Sequence, residues 1–137
     1  MATLIDTNVL IDLFEVGGDW EAWSTAQLAS MRAVGPIVIN PIVYAEMAAA
    51  YLRQADLDAA LPAMQFQRED LPWDAAFLAG HAFVAYRRTG GTKRSPLPDF
   101  YIGAHALVAG HRLLTREPAR YRSYFPALDI VAPDTHP

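Results

Sequence analysis

Three consecutive β-branched residues, Ile37-Val38-Ile39, stand between Gly35-Pro36 and Asn40-Pro41. Gly-Pro ends whatever precedes it, and Asn-Pro is a helix cap followed by proline at the first helical position. The triplet is too sharply bounded to be helical, and its residue types favour an extended chain. It also shows no alternation. A strand with one wet face alternates apolar with polar residues, whereas one that is apolar throughout must be covered on both faces. That requirement points to parallel strands buried between helices.

The rest of the chain supplies the other pieces. Met1–Ile5, Arg112–Thr115 and Leu128–Val131 read as further short strands, the first as buried as the triplet. Between them lie helical segments, expected at 8–14, 19–33, 41–54, 56–66, 74–88, 99–110 and 118–125. Gly17-Gly18 separates the first two, and Asp19 is the expected cap of the second, with Trp20, Trp23, Leu28 and Met31 as its apolar stripe. Pro62 should kink or interrupt the fourth, and Pro98 and Gly110 bound the sixth. Strands alternating with helices predict an α/β fold with a central, mainly parallel sheet flanked by helices. Residues 1–137 are expected to form a single domain, since the chain shows no repeat or linker and 137 residues with 53% hydrophobic content suffice for one core. With no cysteine, disulfides and thiolate metal sites are excluded. No apolar run approaches membrane-spanning length and no signal peptide is visible, so the expected location is cytoplasmic.

In an open parallel sheet, ligands bind beyond the carboxyl ends of the strands. Asp6 ends the first strand. Glu46 lies about a turn and a half into the helix that follows Ile37-Val38-Ile39. Asp99 opens a helix, and Glu117 follows the strand that ends at Thr115. Each has an ordinary explanation to set beside a functional one. Asp6 suits a turn, Asp99 suits a helix N-terminus, and Glu117 suits an exposed surface. Glu46, among alanines and apolar residues, has the least. Carboxylates converging from these positions would repel one another unless a cation held them. Oxygen-only ligation suits Mg²⁺, with Mn²⁺ able to substitute. His81, His105, His111 and His136 show no ligand spacing tied to these acids, and His81 and His105 read as structural. Asp12 and Glu15 are expected on helix surfaces.

Four segments, LIDTNVLID, PIVYAEMAAAY, LPDFYIGAHALVAG and RLLTREPARYRSYF, together resemble the PIN domain, specifically the VapC-type toxin ribonucleases of type II toxin–antitoxin systems. The resemblance spans about residues 3–133. It implies a Rossmann-like three-layer sandwich and a Mg²⁺-dependent acidic pocket that hydrolyses RNA. By position Asp6, Glu46 and Asp99 match the family's first three acids, and Asn8 and Thr115 match its supporting polar residues. Glu117 stands where the family usually has Asp or Asn. Its extra methylene allows ligation either directly or through water. The resemblance also implies an antitoxin partner, whose C-terminal segment lies over or near the pocket, and a homodimer.

The net charge of −4 argues against a broadly basic nucleic-acid surface. The cations that precede Asp99 are the local exception: Arg87, Arg88, Lys93 and Arg94, around the Gly/Pro-rich stretch TGGTKRSPLP. They are candidates for contacting RNA phosphates, with Gly90-Gly91 lending mobility, and equally a solvated loop. Trp20, Trp23, Phe77 and Phe83 read as core or dimer contacts. Two other functions stay open on the residues alone. One is a non-catalytic module whose acidic pocket docks a basic peptide. The other is an aspartyl-phosphate phosphotransferase, which lacks a second acid near Asp6 and a suitably placed lysine.

Overall fold

The computed structural model describes residues 1–137. Its order is β1 (Thr3–Ile5), α1 (Thr7–Phe14), α2 (Glu21–Val34), β2 (Ile37–Ile39), α3 (Pro41–Ala48), α4 (Gln54–Ala60), β3 (Gln67–Arg68), α5 (Trp73–Arg88), α6 (Pro98–Ala109), β4 (Arg112–Leu114), α7 (Ala119–Tyr124) and β5 (Ile130–Val131). All five strands are parallel, in the order β3-β2-β1-β4-β5. The all-apolar triplet is β2, buried at every position. It pairs with β1, also buried throughout, which pairs on its other side with β4. Leu4, Ile5, Val38, Ile39, Leu113 and Leu114 form the sheet's share of one core, covered by side chains such as Leu10, Leu57, Phe100 and Ile102.

Several boundaries differ from the sequence expectation. The helix after β2 stops at Ala48 rather than continuing to Gln54. Tertiary burial outweighs the helical propensity of an alanine-rich run here: the chain turns so that α4 can bury Leu57, 1% exposed. The next helix begins at Gln54, ahead of Asp56, and Pro62 lies beyond its end instead of kinking it. Asp19 caps nothing, because the N-cap of α2 is Trp20 with no side-chain bond. The edge strand β3 was not anticipated. Both of its residues are exposed, so it has no apolar pattern to read.

The elements that carry the acids begin as expected. Asn40 caps α3 by accepting from Val43 N–H at 3.0 Å, with Pro41 next to it. Gly110 ends α6 in the left-handed region at φ 71°. Within α6, Gly103 allows a close approach of α7. A Cβ there would stand 2.6 Å from the Phe125 ring and 3.0 Å from the Tyr121 ring.

Candidate active site

The carboxyl ends of β1 and β4 lie side by side, with Asp6 N–H bonded to Leu114 C=O at 2.9 Å. Asp6 follows β1 and caps α1, its Oδ1 accepting from Thr7 N–H at 2.7 Å. Its Oδ2 accepts from Thr115 Oγ1 at 2.8 Å, Tyr121 OH at 2.9 Å and Asn8 Nδ2 at 3.3 Å. Thr115, itself fully buried, also accepts from Glu117 N–H at 3.1 Å, and Asn8 Oδ1 accepts from Arg116 N–H at 3.2 Å. The turn after β1 is thus laced to the turn after β4.

A cleft of about 200 Å³ opens over this lacing, lined by Asp6, Thr7, Asn8, Ile11, Glu46, Asp99 and Glu117. All four acids singled out in the sequence face it. Their settings are unequal. Only Asp6 is buried, at 4% exposed. Burial, helped by the charge of Asp99 and opposed by its hydrogen bonds, pushes the Asp6 carboxyl up to about 6. Glu46 is exposed on α3 and held at one oxygen by Thr7 Oγ1 at 2.7 Å. Its apolar neighbours in sequence therefore do not bury it. Asp99 sits in the first turn of α6, with Arg120 Nη1 3.2 Å from Oδ2. Glu117 is largely exposed and has Arg116 Nη1 at 3.5 Å.

Tyr121 was missed by sequence reasoning. Buried at 1% exposed, its hydroxyl lies 2.9 Å from Asp6 and 3.4 Å from Asp99. One phenol proton can serve only one carboxylate at a time. Burial and the two negative charges hold the phenol well above its usual range, so it stays a donor. No periodic signal distinguishes such a tyrosine from a core residue. Asp12 was misplaced: it is buried, not on a helix surface. It accepts from Ser24 at 2.7 Å and from Arg116 through two nitrogens, at 2.9 and 3.2 Å, while Arg116 also lies over the Trp20 ring. The three-residue step from Val9, a core residue, was the available signal.

The donor set of the cleft is entirely oxygen, which fits a hard divalent cation. Its carboxylates do not gather any three ligand atoms within 4.8 Å, so an ion there would keep part of its water shell. The group that does close within 4.8 Å is elsewhere: Glu69, His105 and His111. Asn40 argues against a metal at that place. Its Oδ1 is committed to the α3 cap, so its Nδ2 donates to His105 Nδ1 at 3.0 Å. The His105 proton is then on Nε2, aimed at Glu69 Oε1 at 3.1 Å, where a metal would need a lone pair. His111 Nε2 meets the same oxygen at 2.7 Å. Burial lowers the His105 pKa despite Glu69, consistent with a neutral ring in a hydrogen-bonded chain.

Arg87, Arg88, Lys93 and Arg94 are exposed and do not line the cleft. The loop they frame is fastened rather than free. Tyr86 OH accepts from Thr92 and Lys93 N–H, and Arg87 Nη1 donates to the carbonyls of Gly91 and Lys93. Phe77 is 70% exposed and so is not a core residue, whereas Phe83 is partly buried against the core.

Two shallower grooves flank the cleft. One shares Asp99 and Glu117 and adds Arg120, Ser123 and Tyr124. The other shares Ile11 and Glu46 and is mainly apolar, with Phe14, Met47 and Tyr51.

The family model for the PIN domain matches residues 3–124. No curated protein sequence matches the chain. Among solved structures, VapBC2 from Rickettsia felis bound to a promoter DNA fragment is similar at TM-score 0.72 and 18% identity, covering 96% of this chain and 98% of that one. A toxin–antitoxin complex from Klebsiella pneumoniae is similar at TM-score 0.60 and 29% identity, covering 94% and 95%. VapC20 from Mycobacterium tuberculosis, described as a sarcin-ricin loop cleaving toxin, is similar at TM-score 0.58 and 14% identity, covering 88% and 94%.

Proposed function

This chain belongs to the PIN domain family, and from that premise we propose that it is a Mg²⁺-dependent endoribonuclease, the VapC-type toxin of a toxin–antitoxin pair acting in the cytoplasm. The observation that carries the proposal is the convergence of Asp6, Glu46, Asp99 and Glu117 on one cleft, with Asp6 buried and driven toward neutrality. A carboxylate so placed is costly unless a cation balances it. Asp6, Glu46 and Asp99 would hold the ion, with Glu117 joining directly or through water. A bound divalent ion supplies Lewis-acid stabilisation of a phosphodiester under attack and lowers the pKa of a coordinated water.

The chain's own residues do the positioning. Thr115, Tyr121, Asn8 and Thr7 N–H fix both oxygens of Asp6, and Thr7 aims Glu46. Arg120, beside Asp99 in the adjoining groove, offers a cation to a neighbouring phosphate, and Tyr124 an aromatic face. Lys93 and Arg94 provide further phosphate contacts along the same RNA strand. The apolar groove that shares Glu46 with the cleft suits an antitoxin segment carrying apolar side chains, with a cation reaching the acids. The solved toxin–antitoxin complexes of similar fold support that partner.

The test is cleavage of a structured RNA by the purified protein with Mg²⁺ or Mn²⁺. Activity should vanish in EDTA and in Asp6→Asn, whose circular dichroism should remain that of the parent. Full cleavage in EDTA would sink the proposal.

A further inference from the structure

Asn40 and His105 are buried, 2% and 1% exposed, and neither lines the cleft. Each stands on an element that carries one of its acids. Asn40 opens α3, which bears Glu46, and His105 lies in α6, which bears Asp99. The two helices pack on each other, and a hydrogen bond joins them at Asn40 Nδ2 and His105 Nδ1, 3.0 Å apart.

That bond is fixed from both ends. One end of an amide only accepts and the other only donates. With Oδ1 accepting from Val43 N–H, Asn40 must turn Nδ2 to the imidazole, which then needs a lone pair at Nδ1. Turning the amide over would set Nδ2 against Val43 N–H, donor against donor, and Oδ1 against that lone pair. A proton on Nδ1 would favour the turned amide, and the α3 cap would be lost. Glu69 opposes that state. Its Oε1 stands 3.1 Å from His105 Nε2 and holds the ring proton on that nitrogen. His111 Nε2 shares the oxygen at 2.7 Å and is the other titratable group facing the ring. Glu69 is placed in turn by β3: its N–H bonds Ile39 C=O at 3.0 Å, one residue before Asn40. The short, exposed β3 thereby has a use that its side chains do not show.

We propose that Glu69, His105 and Asn40 are positioning residues for the acidic cleft: Glu69 selects the Nε2–H tautomer of His105, that tautomer holds the Asn40 amide in its capping orientation, and the capped α3 sets Glu46 against Asp99. Only the last step rests on the reading of those acids as metal ligands.

NMR of the full chain tests the lock and the last step separately. In the metal-free parent, long-range proton–nitrogen spectra should show His105 neutral and protonated at Nε2. Asn40→Asp keeps a capping oxygen but puts an acceptor where Nδ2 donated, so His105 should then carry protons on both nitrogens at pH 7. A neutral ring in Asn40→Asp, or a parent ring protonated at Nδ1, would overturn the lock. A double-mutant cycle separates positioning from packing. His105→Phe keeps a ring but offers no lone pair. It should speed exchange of the Val43 amide about fivefold, the equivalent of a lost cap. It should also weaken Mg²⁺ binding, followed through the Glu46 and Asp99 amide signals, by a comparable factor. In an Asn40→Ser background the hydroxyl caps without a partner to orient it, and His105→Phe should change neither quantity. Equal losses in both backgrounds would make His105 a packing residue and overturn the proposal. Exchange that follows the cycle while Mg²⁺ affinity does not would overturn the link to Glu46. A parent whose Glu46 and Asp99 signals ignore Mg²⁺ would sink the metal reading and the last step with it, while the tautomer and the exchange rates still decide the lock.

Discussion

Asp6 concentrates the electrostatic tension of the molecule. Its folded-state pKa of about 6, against an ordinary 3.8, arises first from burial. The folded protein therefore keeps a proton that the unfolded chain gives up at lower pH. The sign follows from linkage: stability from this group is complete below about pH 4 and is lost as pH rises to about 6, on the order of 3 kcal/mol in all. In metal-free buffer, Asp6→Asn should thus be more stable than the parent at pH 7.5, and the advantage should shrink at pH 4.5. Urea denaturation at both pH values measures this, and an advantage equal at both would refute the cause. Saturating Mg²⁺ should reverse the order at pH 7.5, because the ion stabilises only the carboxylate. Asp6 was legible in the sequence as a strand-end acid. Its burial was not, because Thr115 and Tyr121, which cover it, lie more than a hundred residues away.

At the scale of elements, the fit of α7 against α6 decides how Asp6 and Asp99 are linked. Gly103 leaves no room for a methyl group, and the residues it would strike are Phe125 and Tyr121. Gly103→Ala should displace α7 and pull the Tyr121 hydroxyl from the two carboxylates. The expected cost is about 1–3 kcal/mol of stability from overpacking, together with reduced RNA cleavage. Thermal unfolding and an activity assay on the same sample would check both. Unchanged unfolding would show that α7 shifts freely. The starts of α3 and α6 were readable because their signals are local: Asn40-Pro41 and Pro98 announce themselves. The end of α3 was not, because no residue between Ala48 and Gln54 breaks a helix. The turn there serves the burial of Leu57, a long-range gain. The two-residue β3 escaped for the opposite reason, having an exposed backbone pairing and no apolar side chain to reveal it.

Across the whole molecule, an acidic chain of net charge −4 must present its cations locally to bind RNA. Lys93 and Arg94 stand on a loop fastened by Tyr86, and Arg120 stands beside Asp99. Replacing Lys93 and Arg94 together with Ala should lower the slope of log affinity against log salt by about 1 to 1.5 for single-stranded RNA. Filter binding in EDTA across a salt series would measure it, and an unchanged slope would remove these residues from the RNA path. No helix is long and apolar enough to cross a membrane. A mainly parallel sheet was implied by the apolar triplet at Ile37 and the alternation of strands with helices, since covering a strand on both faces is a local demand written in consecutive residues; that all five strands are parallel is a finding of the structure. The positions of the four acids at the carboxyl edge followed from the same pattern. Which of them is buried, that Asp12 serves Arg116 rather than solvent, and that Tyr121 joins two carboxylates were settled by packing between distant segments. Those contacts have no period along the chain, and burial is a property of the closed fold rather than of any one stretch of it.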